Sequence, residues 1–577
     1  MEATVDVQES SNKSQTQATA KETKEESNKD QQNCAVCSSI ATKCCTGCRE
    51  IHYCSQEHQK QDWKVHKKQC SPFILKTSPE FGRHFVAARK LKGTTLILEE
   101  LPVFCAPRGM IDDFETPLCL SCCIVMNVES EGARKCSKCG WPVCSLTCEK
   151  NDYHSKNECE LFSKSKLSFY PTGYSVYEVY KVVEIIRGLL IKEKQPETWK
   201  KILDLQYQTE LGSKTIFDDL KSVREAFKLE DLGTDDEWHR ILGIMNVNNF
   251  TMAGQRATTS ISYEAFLYLK TSMFAHSCAP NCWWCVTIFP EFKITVYAAE
   301  DIEKGEIITV PYTYLYSSFG THMRMELLKG NGDYICKCRR CVTKTELGSY
   351  TSALKCLNCE SGFLLPENPT DSNSEWKCGE EKCETVLESK LFDVRIEDLI
   401  TKLEECDTVP ALEKYIEDNK GVTLHANHWL ITEAMDTICK GEPRNTSSAV
   451  EALAEKDKLI QYCEHILKVK NIVAPGISLE RARLINLLAR LRYERLDILT
   501  SNKLETNDEK IEEEAHFILV LYDEALKFYI NDRTQTPTKK IGLKASIIMS
   551  DMVYIKTKYV PSDDTSSEKG NPDEKNK

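Results

Sequence analysis

Cysteines spaced two residues apart and interleaved with histidines constrain the fold of this chain more than any other feature. The chain holds 29 cysteines in 577 residues. Its N-terminus lacks the charged-then-apolar pattern of a signal peptide, so we expect a protein of the cytoplasm and nucleus with reduced thiols. Reduced cysteines at this spacing indicate zinc sites. The isolated cysteines Cys105, Cys406, Cys439 and Cys463 are instead typical of buried free thiols.

The first cluster of candidate ligands occupies residues 34–70 and offers enough donors for two tetrahedral zinc ions. Its donor pairs are Cys34/Cys37, Cys45/Cys48, Cys54/His58 and His66/Cys70. Such a short segment has too little apolar core to fold alone, so metal binding would supply its folding free energy. Cys44 falls outside the pairs and is interpreted as a bystander.

A second cluster, at residues 119–159, repeats the order of the first with a longer first loop. Its pairs are Cys119/Cys122, Cys136/Cys139, Cys144/Cys148 and His154/Cys159. The string YCSQEHQKQDWKVHKKQC of the first cluster resembles a MYND finger, and the second cluster is MYND-like. In that family the first and third pairs share one zinc, and the second and fourth pairs share the other. The resemblance therefore implies four sets: Cys34, Cys37, Cys54 and His58; Cys45, Cys48, His66 and Cys70; Cys119, Cys122, Cys144 and Cys148; Cys136, Cys139, His154 and Cys159.

Two further cysteine groups bring the expected number of zinc ions to about six. One group has three members, Cys336, Cys338 and Cys341, and needs a fourth ligand. Cys278 is the candidate, although spacing alone does not show this. The other group is Cys356, Cys359, Cys378 and Cys383, which is typical of a small zinc-ribbon-like site.

Composition and periodicity divide the chain into segments. The two ends are rich in polar and charged residues and are predicted to be disordered. Near the C-terminus, Leu484, Leu487, Leu488 and Leu491 recur with helical spacing. A clean 34-residue repeat is missing, so a tetratricopeptide-like array is only one possible arrangement. The predicted segments are a tail at 1–33, a finger at 34–70, a central domain at 72–345, a four-cysteine element at 356–383, a helical domain at 390–560 and a tail at 561–577.

Three segments of the central domain resemble a SET domain: FGRHFVAARKLKGTTLILEELP (81–102), FAHSCAPNC (274–282) and AAEDIEKGEIITVPYTY (298–314). They are followed by the cysteine-rich YICKCRRC (334–341). A SET domain interrupted by a MYND-like module (119–159) and a helical insert (173–245), with a cysteine cluster at 336–341 and a helical C-terminal domain, resembles the SMYD family. The additional N-terminal finger resembles the arthropod-specific SmydA group. The resemblance implies an α+β multidomain fold with zinc-stapled fingers, a β-rich SET domain and a threaded loop.

The resemblance also implies a chemistry. SET enzymes transfer the methyl group of S-adenosylmethionine to a lysine amine, by positioning and desolvation. Tyr312 and Phe250 match the catalytic channel. Four residues match cofactor contacts: Gly82, Arg83, His276 and Tyr334. Each also has a simpler interpretation: strand tyrosine for Tyr312, core for Phe250, turn for Gly82 and Arg83, structural hydrogen bonding for His276, and cover of the zinc loop for Tyr334.

Four residues depart from the family pattern near this centre. Ala275 replaces an asparagine that hydrogen-bonds the cofactor, and His84 replaces the second glycine of Gly-Arg-Gly. Ile307 replaces a glutamate, and Pro311 precedes Tyr312 inside a predicted strand, where it would remove a ladder donor.

Two hypotheses of function therefore remain open. One is a lysine methyltransferase acting on histones or other proteins. The other is a weak or inactive SET protein that acts as a zinc-finger adaptor or transcriptional corepressor. For either we expect short proline-containing peptides at the MYND fingers and a monomer. No apolar run is long enough to span a membrane, and the net charge of −12 disfavours broad nucleic-acid binding.

Overall fold

The computed structural model describes residues 32–45, 51–108, 117–126, 134–165, 176–208, 221–222, 224–251, 264–287, 289–312, 314–329, 334–359, 361–441, 446–531 and 543–560. Most of the predicted N-terminal tail, the whole predicted C-terminal tail and Cys48 lie outside the described residues. The chain divides into two compact units, residues 1–72 and 73–577.

The first unit is a small zinc-finger fold. Strand β1 (Lys43–Cys44) pairs antiparallel with β2 (His52–Tyr53), and a helix follows at Gln56–Cys70. Ser55 begins the helix because its side chain accepts a hydrogen bond from the main-chain N–H of His58. The buried centre consists of Cys34, Cys45, Tyr53 and Cys70.

The second unit holds small sheets. Its strands are β3 (Phe73–Ser78), β4 (Gly82–Ala87), β5 (Leu96–Glu100), β6 (Phe104–Pro107), β7 (Asn249–Phe250), β8 (Glu264–Leu267), β9 (Ala275–His276), β10 (Cys282–Val286), β11 (Ile294–Ala298), β12 (Thr309–Val310), β13 (Leu354–Lys355), β14 (Phe363–Pro366), β15 (Trp376–Cys378) and β16 (Val386–Leu387). The sheets have the orders β3-β4, β10-β11-β5, β6-β8-β7, β12-β9 and β13-β14-β15-β16. All of these pairings are antiparallel except that of β9 with β12, which is parallel.

The parallel pairing places two distant segments side by side. Thr309 lies opposite Ala275, and Val310 lies opposite His276. Strand β4 runs antiparallel to the residues just before β12, since the main-chain N–H of Ile308 donates to the Phe85 carbonyl and that of Ala87 donates to the Glu306 carbonyl. The first residues of β4 therefore extend toward the end at which Tyr312 follows β12.

Strand β12 ends at Val310, so Pro311 lies beyond the strand. The expectation that Pro311 sits inside a strand and removes a ladder donor is therefore wrong. The Pro311 carbonyl is used instead, because it accepts a hydrogen bond from the indole N–H of Trp284 at 2.9 Å.

Helices surround these sheets. They are Leu146–Lys150, Asp152–Ser155 and Glu158–Ser165 in the second finger; Val176–Lys194, Pro196–Leu203 and Asp235–Asn248 in the insert; Thr321–Lys329 after β12; and Ser389–Glu404, Val409–Asn419, Trp429–Lys440, Ala449–Val473, Leu479–Ser501, Asp508–Tyr529 and Leu543–Tyr559 in the C-terminal domain. Within the described residues, no helix is both long enough and apolar enough to cross a membrane.

The C-terminal helices follow the leucine periodicity of the sequence. Leu484, Leu488 and Leu491 are buried on one face of Leu479–Ser501. The Ser478 side chain caps this helix by accepting a hydrogen bond from the Arg481 main chain. Together with the sheets and the cysteine clusters, these helices confirm the predicted α+β fold with a helical C-terminal domain.

The C-terminal domain packs on the central domain through a few specific contacts. The indole ring of Trp283 lies between Tyr297, 4.7 Å away, and Phe528 of the helix Asp508–Tyr529, 4.6 Å away, as ring-centroid distances. Gly476 has a φ of +81°, and a Cβ there would lie 2.3 Å from the Ala299 carbonyl oxygen. Only glycine permits that approach.

Candidate functional site

The predicted metal ligands lie close together in five sets. Within each set the ligand atoms are all within 4.8 Å of one another. The sets are Cys34, Cys37, Cys54 and His58; Cys119, Cys122, Cys144 and Cys148; Cys136, Cys139, His154 and Cys159; Cys278, Cys336, Cys338 and Cys341; and Cys356, Cys359, Cys378 and Cys383. In the remaining predicted set, the Sγ atoms of Cys45 and Cys70 are 3.4 Å apart, His66 is buried and Cys48 is undescribed.

The distances fit tetrahedral zinc. A zinc ion about 2.3 Å from each sulfur holds neighbouring sulfurs about 3.8 Å apart. Close Sγ–Sγ distances within the complete sets run from 3.4 Å, between Cys122 and Cys144, to 3.9 Å, between Cys278 and Cys336. Donor type, number and spacing therefore suit zinc in each complete set.

A buried ion-pair network supports His154 of the second finger. The imidazole Nδ1 lies 2.8 Å from the Glu158 carboxylate, which leaves Nε2 facing Cys139 at 3.6 Å. Arg187 holds the same carboxylate with Nε at 2.8 Å and Nη2 at 2.6 Å, and it also donates to the Cys105 carbonyl of β6. Burial alone would raise the pKa of Glu158, but Arg187 and His154 outweigh burial and lower it. The network fixes the His154 tautomer that a metal at Nε2 requires.

A second buried network surrounds the cluster at Cys278. Arg324 and Arg340 are fully buried and share the carboxylate of Glu346, at 2.8 and 3.0 Å. Arg324 also donates to the Sγ of Cys341 at 3.2 Å. Because four thiolates outweigh the charge of one zinc ion, the two arginines compensate negative charge that would otherwise be buried.

Asn281 joins the segment 275–281 to the strand that precedes Tyr312. Its side-chain oxygen accepts from the Thr309 main chain at 2.8 Å, and its amide donates to the Ile307 carbonyl at 2.9 Å and to Glu306 at 3.1 Å. Its main-chain N–H donates to the Thr309 hydroxyl. The Ile307 side chain plays no part in this contact, so the glutamate-to-isoleucine departure leaves the junction intact.

His276 connects Tyr312 to the cysteine cluster. Its Nδ1 accepts from the Tyr312 main-chain N–H at 3.0 Å, so the proton of the neutral ring sits on Nε2, 3.2 Å from the Cys278 Sγ. Burial lowers the pKa of His276 to about 4 and keeps the ring neutral. Both ring nitrogens of His276 are therefore engaged by groups of the protein.

Three aromatic side chains meet at this point. The centroid of the Tyr312 ring is 4.9 Å from that of His276 and 6.1 Å from that of Tyr334, and the rings of Tyr334 and His276 meet edge-on at 5.9 Å. The Tyr312 ring is partly exposed, while its hydroxyl donates to the Phe274 carbonyl at 2.7 Å. Burial raises the pKa of that hydroxyl. Tyr334 also packs against the cysteine cluster.

Phe250 is connected to the aromatic group around Tyr312 by the side chain of Trp284. The two rings meet edge-on at 5.3 Å, and Trp284 donates to the carbonyl of Pro311, next to Tyr312. Tyr268 contacts Phe250 at 5.7 Å on another side. An aromatic wall therefore leads from Phe250 to Tyr312.

The start of β4 carries the remaining predicted residues. Gly82 has a φ of +58°, and the space beside it is open. Arg83 forms an ion pair with Asp204. The His84 ring is buried and turns back to the Gly82 carbonyl, with Nδ1 at 3.0 Å. The side chain of this departure from the family pattern is therefore held against the main chain of β4.

Comparison with known proteins agrees with this geometry. A family model for the MYND finger matches residues 34–70, and one for the SET domain matches residues 82–313. The chain is 25% identical over 316 residues to the SET domain-containing protein SmydA-8, isoform A, of Drosophila melanogaster, covering 53% of the chain and 64% of that relative. It is 24% identical over 360 residues to the histone-lysine N-methyltransferase ASHR1 of Arabidopsis thaliana, covering 58% and 68%.

The MYND and SET matches together support a SMYD-type protein. The chain resembles SmydA-8, although the match spans less than two thirds of that relative. The finger is also 46% identical over 39 residues, 7% of the chain, to programmed cell death protein 2 of Mus musculus, covering 11% of that protein.

Several residues around these sites were not found from the sequence. They are Trp284 in the aromatic wall, Glu158 and Arg187 behind the second finger, and the charged group of Arg324, Arg340 and Glu346. Their partners lie up to 82 residues away in the chain, and a single buried charge in a sequence gives no signal of its partner. Cys406, expected to be a buried thiol, is half-buried, whereas Cys105, Cys439 and Cys463 are buried.

We predict that the purified chain carries about six zinc ions, because five complete donor sets and part of a sixth have zinc geometry. Elemental analysis of the protein after dialysis measures the ratio. A ratio near two would leave only the first finger as a zinc site.

Glu158→Gln should weaken zinc binding by the second finger about 10- to 100-fold, since the His154 tautomer loses its carboxylate partner. It should also lower the free energy of unfolding by about 3–5 kcal/mol, since Arg187 keeps an unpaired buried charge. Cobalt titration and denaturant unfolding measure the two effects. The matched control is Glu160→Gln on the same helix, whose carboxylate pairs with Lys164 at the surface. Equal behaviour of the two variants would contradict the role of Glu158.

Proposed function

We propose that this protein is an S-adenosylmethionine-dependent protein-lysine N-methyltransferase that acts on lysines of histones or other proteins. The observation that carries the proposal is the convergence of His276, Tyr312 and Tyr334 where β9 and β12 pair. The SET family match and the relative named as a histone-lysine N-methyltransferase support it.

Tyr312 would orient the target amine. Its hydroxyl hydrogen is donated to the Phe274 carbonyl, so the lone pairs of the oxygen remain free to accept an N–H of the lysine amine. His276 fixes the main chain of Tyr312 and thereby the position of the ring. The catalytic contribution is positioning, which depends on ångström-level placement.

The aromatic wall would favour the neutral form of the lysine amine. Phe250 and Trp284 exclude water from one side of the approach to Tyr312. A lysine amine in apolar surroundings has a lowered pKa, and the neutral amine is the form that reacts. Trp284 also fixes the carbonyl next to Tyr312, so wall and tyrosine are held together.

S-adenosylmethionine supplies the transferred methyl group when it is bound. Tyr334 offers a half-buried aromatic face for the adenine, and Gly82 offers open space beside β4. Because both ring nitrogens of His276 are used within the protein, this residue would contact the cofactor with its main chain. Ala275 is buried and has no polar side chain, so this position contributes no hydrogen bond.

Zinc would act as a structural element. The set around Cys278 holds the segment 275–281 on one side and residues 336–341 on the other. In the first finger, zinc would replace the apolar core that this short segment lacks.

A second candidate function is an adaptor with weak or no catalysis. Ala275 favours the adaptor, because it lacks the side-chain hydrogen bond that the family's asparagine gives to the cofactor. On the binding side, the first finger exposes Ile40, Trp63 and Val65, an apolar set suited to short proline-containing peptides.

We predict that the zinc-loaded chain binds S-adenosylmethionine and that Ala275→Asn binds it about three- to tenfold more tightly, since one hydrogen bond is restored. Isothermal calorimetry measures both affinities, with Ala41→Asn in the first finger as a control. Absence of binding to the unmodified chain would favour the adaptor. Equal affinity of a folded Ala275→Asn variant would remove position 275 from the cofactor site.

Tyr312→Phe should reduce lysine methylation about 100-fold or more, because the hydroxyl that orients the amine is lost. Transfer of a labelled methyl group to core histones measures the rate. Calorimetry and thermal unfolding of the same variant should show an unchanged cofactor affinity and a folded chain. Unchanged turnover would remove Tyr312 from the reaction.

A further inference from the structure

By resemblance to SET domains, Gly82 and Arg83 match the strand turn around the methionine part of the cofactor, and Arg83 is held by the acidic residue Asp204. Its Nη1 pairs with the carboxylate of Asp204, and its Nη2 donates to the main-chain carbonyl of the same residue. Asp204 is the C-cap residue of the helix Pro196–Leu203. One residue of the insert therefore occupies the outer edge of the guanidinium with two different oxygens.

The contact is accessible from solution. The Arg83 side chain is 31% exposed, and that of Asp204 is 70% exposed. Apart from its two chain neighbours, no residue that the structure describes lies within 4 Å of where a Cβ at Gly82 would stand, and the buried His84 ring turns back to the Gly82 carbonyl. A small anionic ligand can therefore approach the guanidinium without displacing core side chains.

The methionine part of S-adenosylmethionine ends in a carboxylate, the same group that Asp204 presents. Arginine binds carboxylates through paired N–H groups, and this geometry is satisfied by one carboxylate at a time on a given edge. A second carboxylate would meet an edge that is occupied and a charge that is already neutralised.

We propose that Asp204 competes with the carboxylate of S-adenosylmethionine for Arg83 and thereby sets the cofactor affinity of this chain. The inference rests on the proposed function, since it assumes that the pocket beside Gly82 takes this cofactor. Asp204 acts through Arg83 and is a positioning residue. Because an exposed ion pair is weak, removal of the competing charge should raise affinity by about two- to fivefold.

Asp204→Asn is the appropriate variant because the main-chain carbonyl that caps Arg83 remains. Asp236→Asn is the matched control, since it removes the same charge from an exposed aspartate in the first turn of another helix. Calorimetry on the zinc-loaded full chain compares three ligands. S-adenosylmethionine and S-adenosylhomocysteine carry the carboxylate, and 5′-methylthioadenosine keeps the adenosine but lacks the amino-acid part.

We expect Asp204→Asn to bind the two carboxylate ligands two- to fivefold more tightly and 5′-methylthioadenosine with unchanged affinity. For each of the three ligands, Asp236→Asn should have the same affinity as the unmodified chain. If the unmodified chain binds S-adenosylmethionine and Asp204→Asn does not improve on it, the competition is overturned and the proposed function stands. An equal gain for 5′-methylthioadenosine also overturns the competition, because the gain would not depend on the carboxylate. If no ligand binds any of the proteins, the proposed function fails, and the competition fails with it.

Discussion

The hydrogen bonds of Asn281 hold together the two segments on which the centre of this protein depends. One side chain satisfies the main chain of Thr309 and the carbonyl of Ile307, and so fixes the register in which Ala275 and His276 lie beside Thr309 and Val310. The amide is buried, and its loss would leave the Thr309 main-chain N–H and the Ile307 carbonyl without this partner. A parallel pairing of only two residues has few main-chain hydrogen bonds, and the side-chain hydrogen bonds of Asn281 add to them.

The metal cluster and the proposed reaction centre are built on the same short segment. Within three residues, His276 fixes the main chain of Tyr312 and Cys278 joins the cysteines near residue 340. Displacement of Cys278 would therefore shift the His276 ring and, through its hydrogen bond, the main chain of Tyr312. Arg324 and Arg340 extend the connection to Glu346, whose carboxylate accepts from the Ser352 hydroxyl just before β13.

Local sequence patterns predicted much of this architecture. Cysteine spacing identified the ligand groups, and leucine periodicity located the C-terminal helices. Cys278 was the candidate fourth ligand for Cys336, Cys338 and Cys341, although spacing alone could not show this, and the structure brings the four residues together. The sequence could not reveal Trp284 or Asp204 as neighbours of the centre, because each acts through a residue far away in the chain. The sequence pattern predicts Pro311 inside a strand, whereas β12 ends at Val310, as the missing N–H of proline favours.

We propose that the junction of β9 and β12 forms one wall of the cofactor pocket. Hydrogen–deuterium exchange of the zinc-loaded chain, with and without saturating S-adenosylhomocysteine, tests this placement most directly. We expect slower exchange in residues 274–281, 308–312 and 334–341, with the C-terminal helices unchanged. Unchanged exchange in those three segments, or protection confined to other parts of the chain, would contradict it.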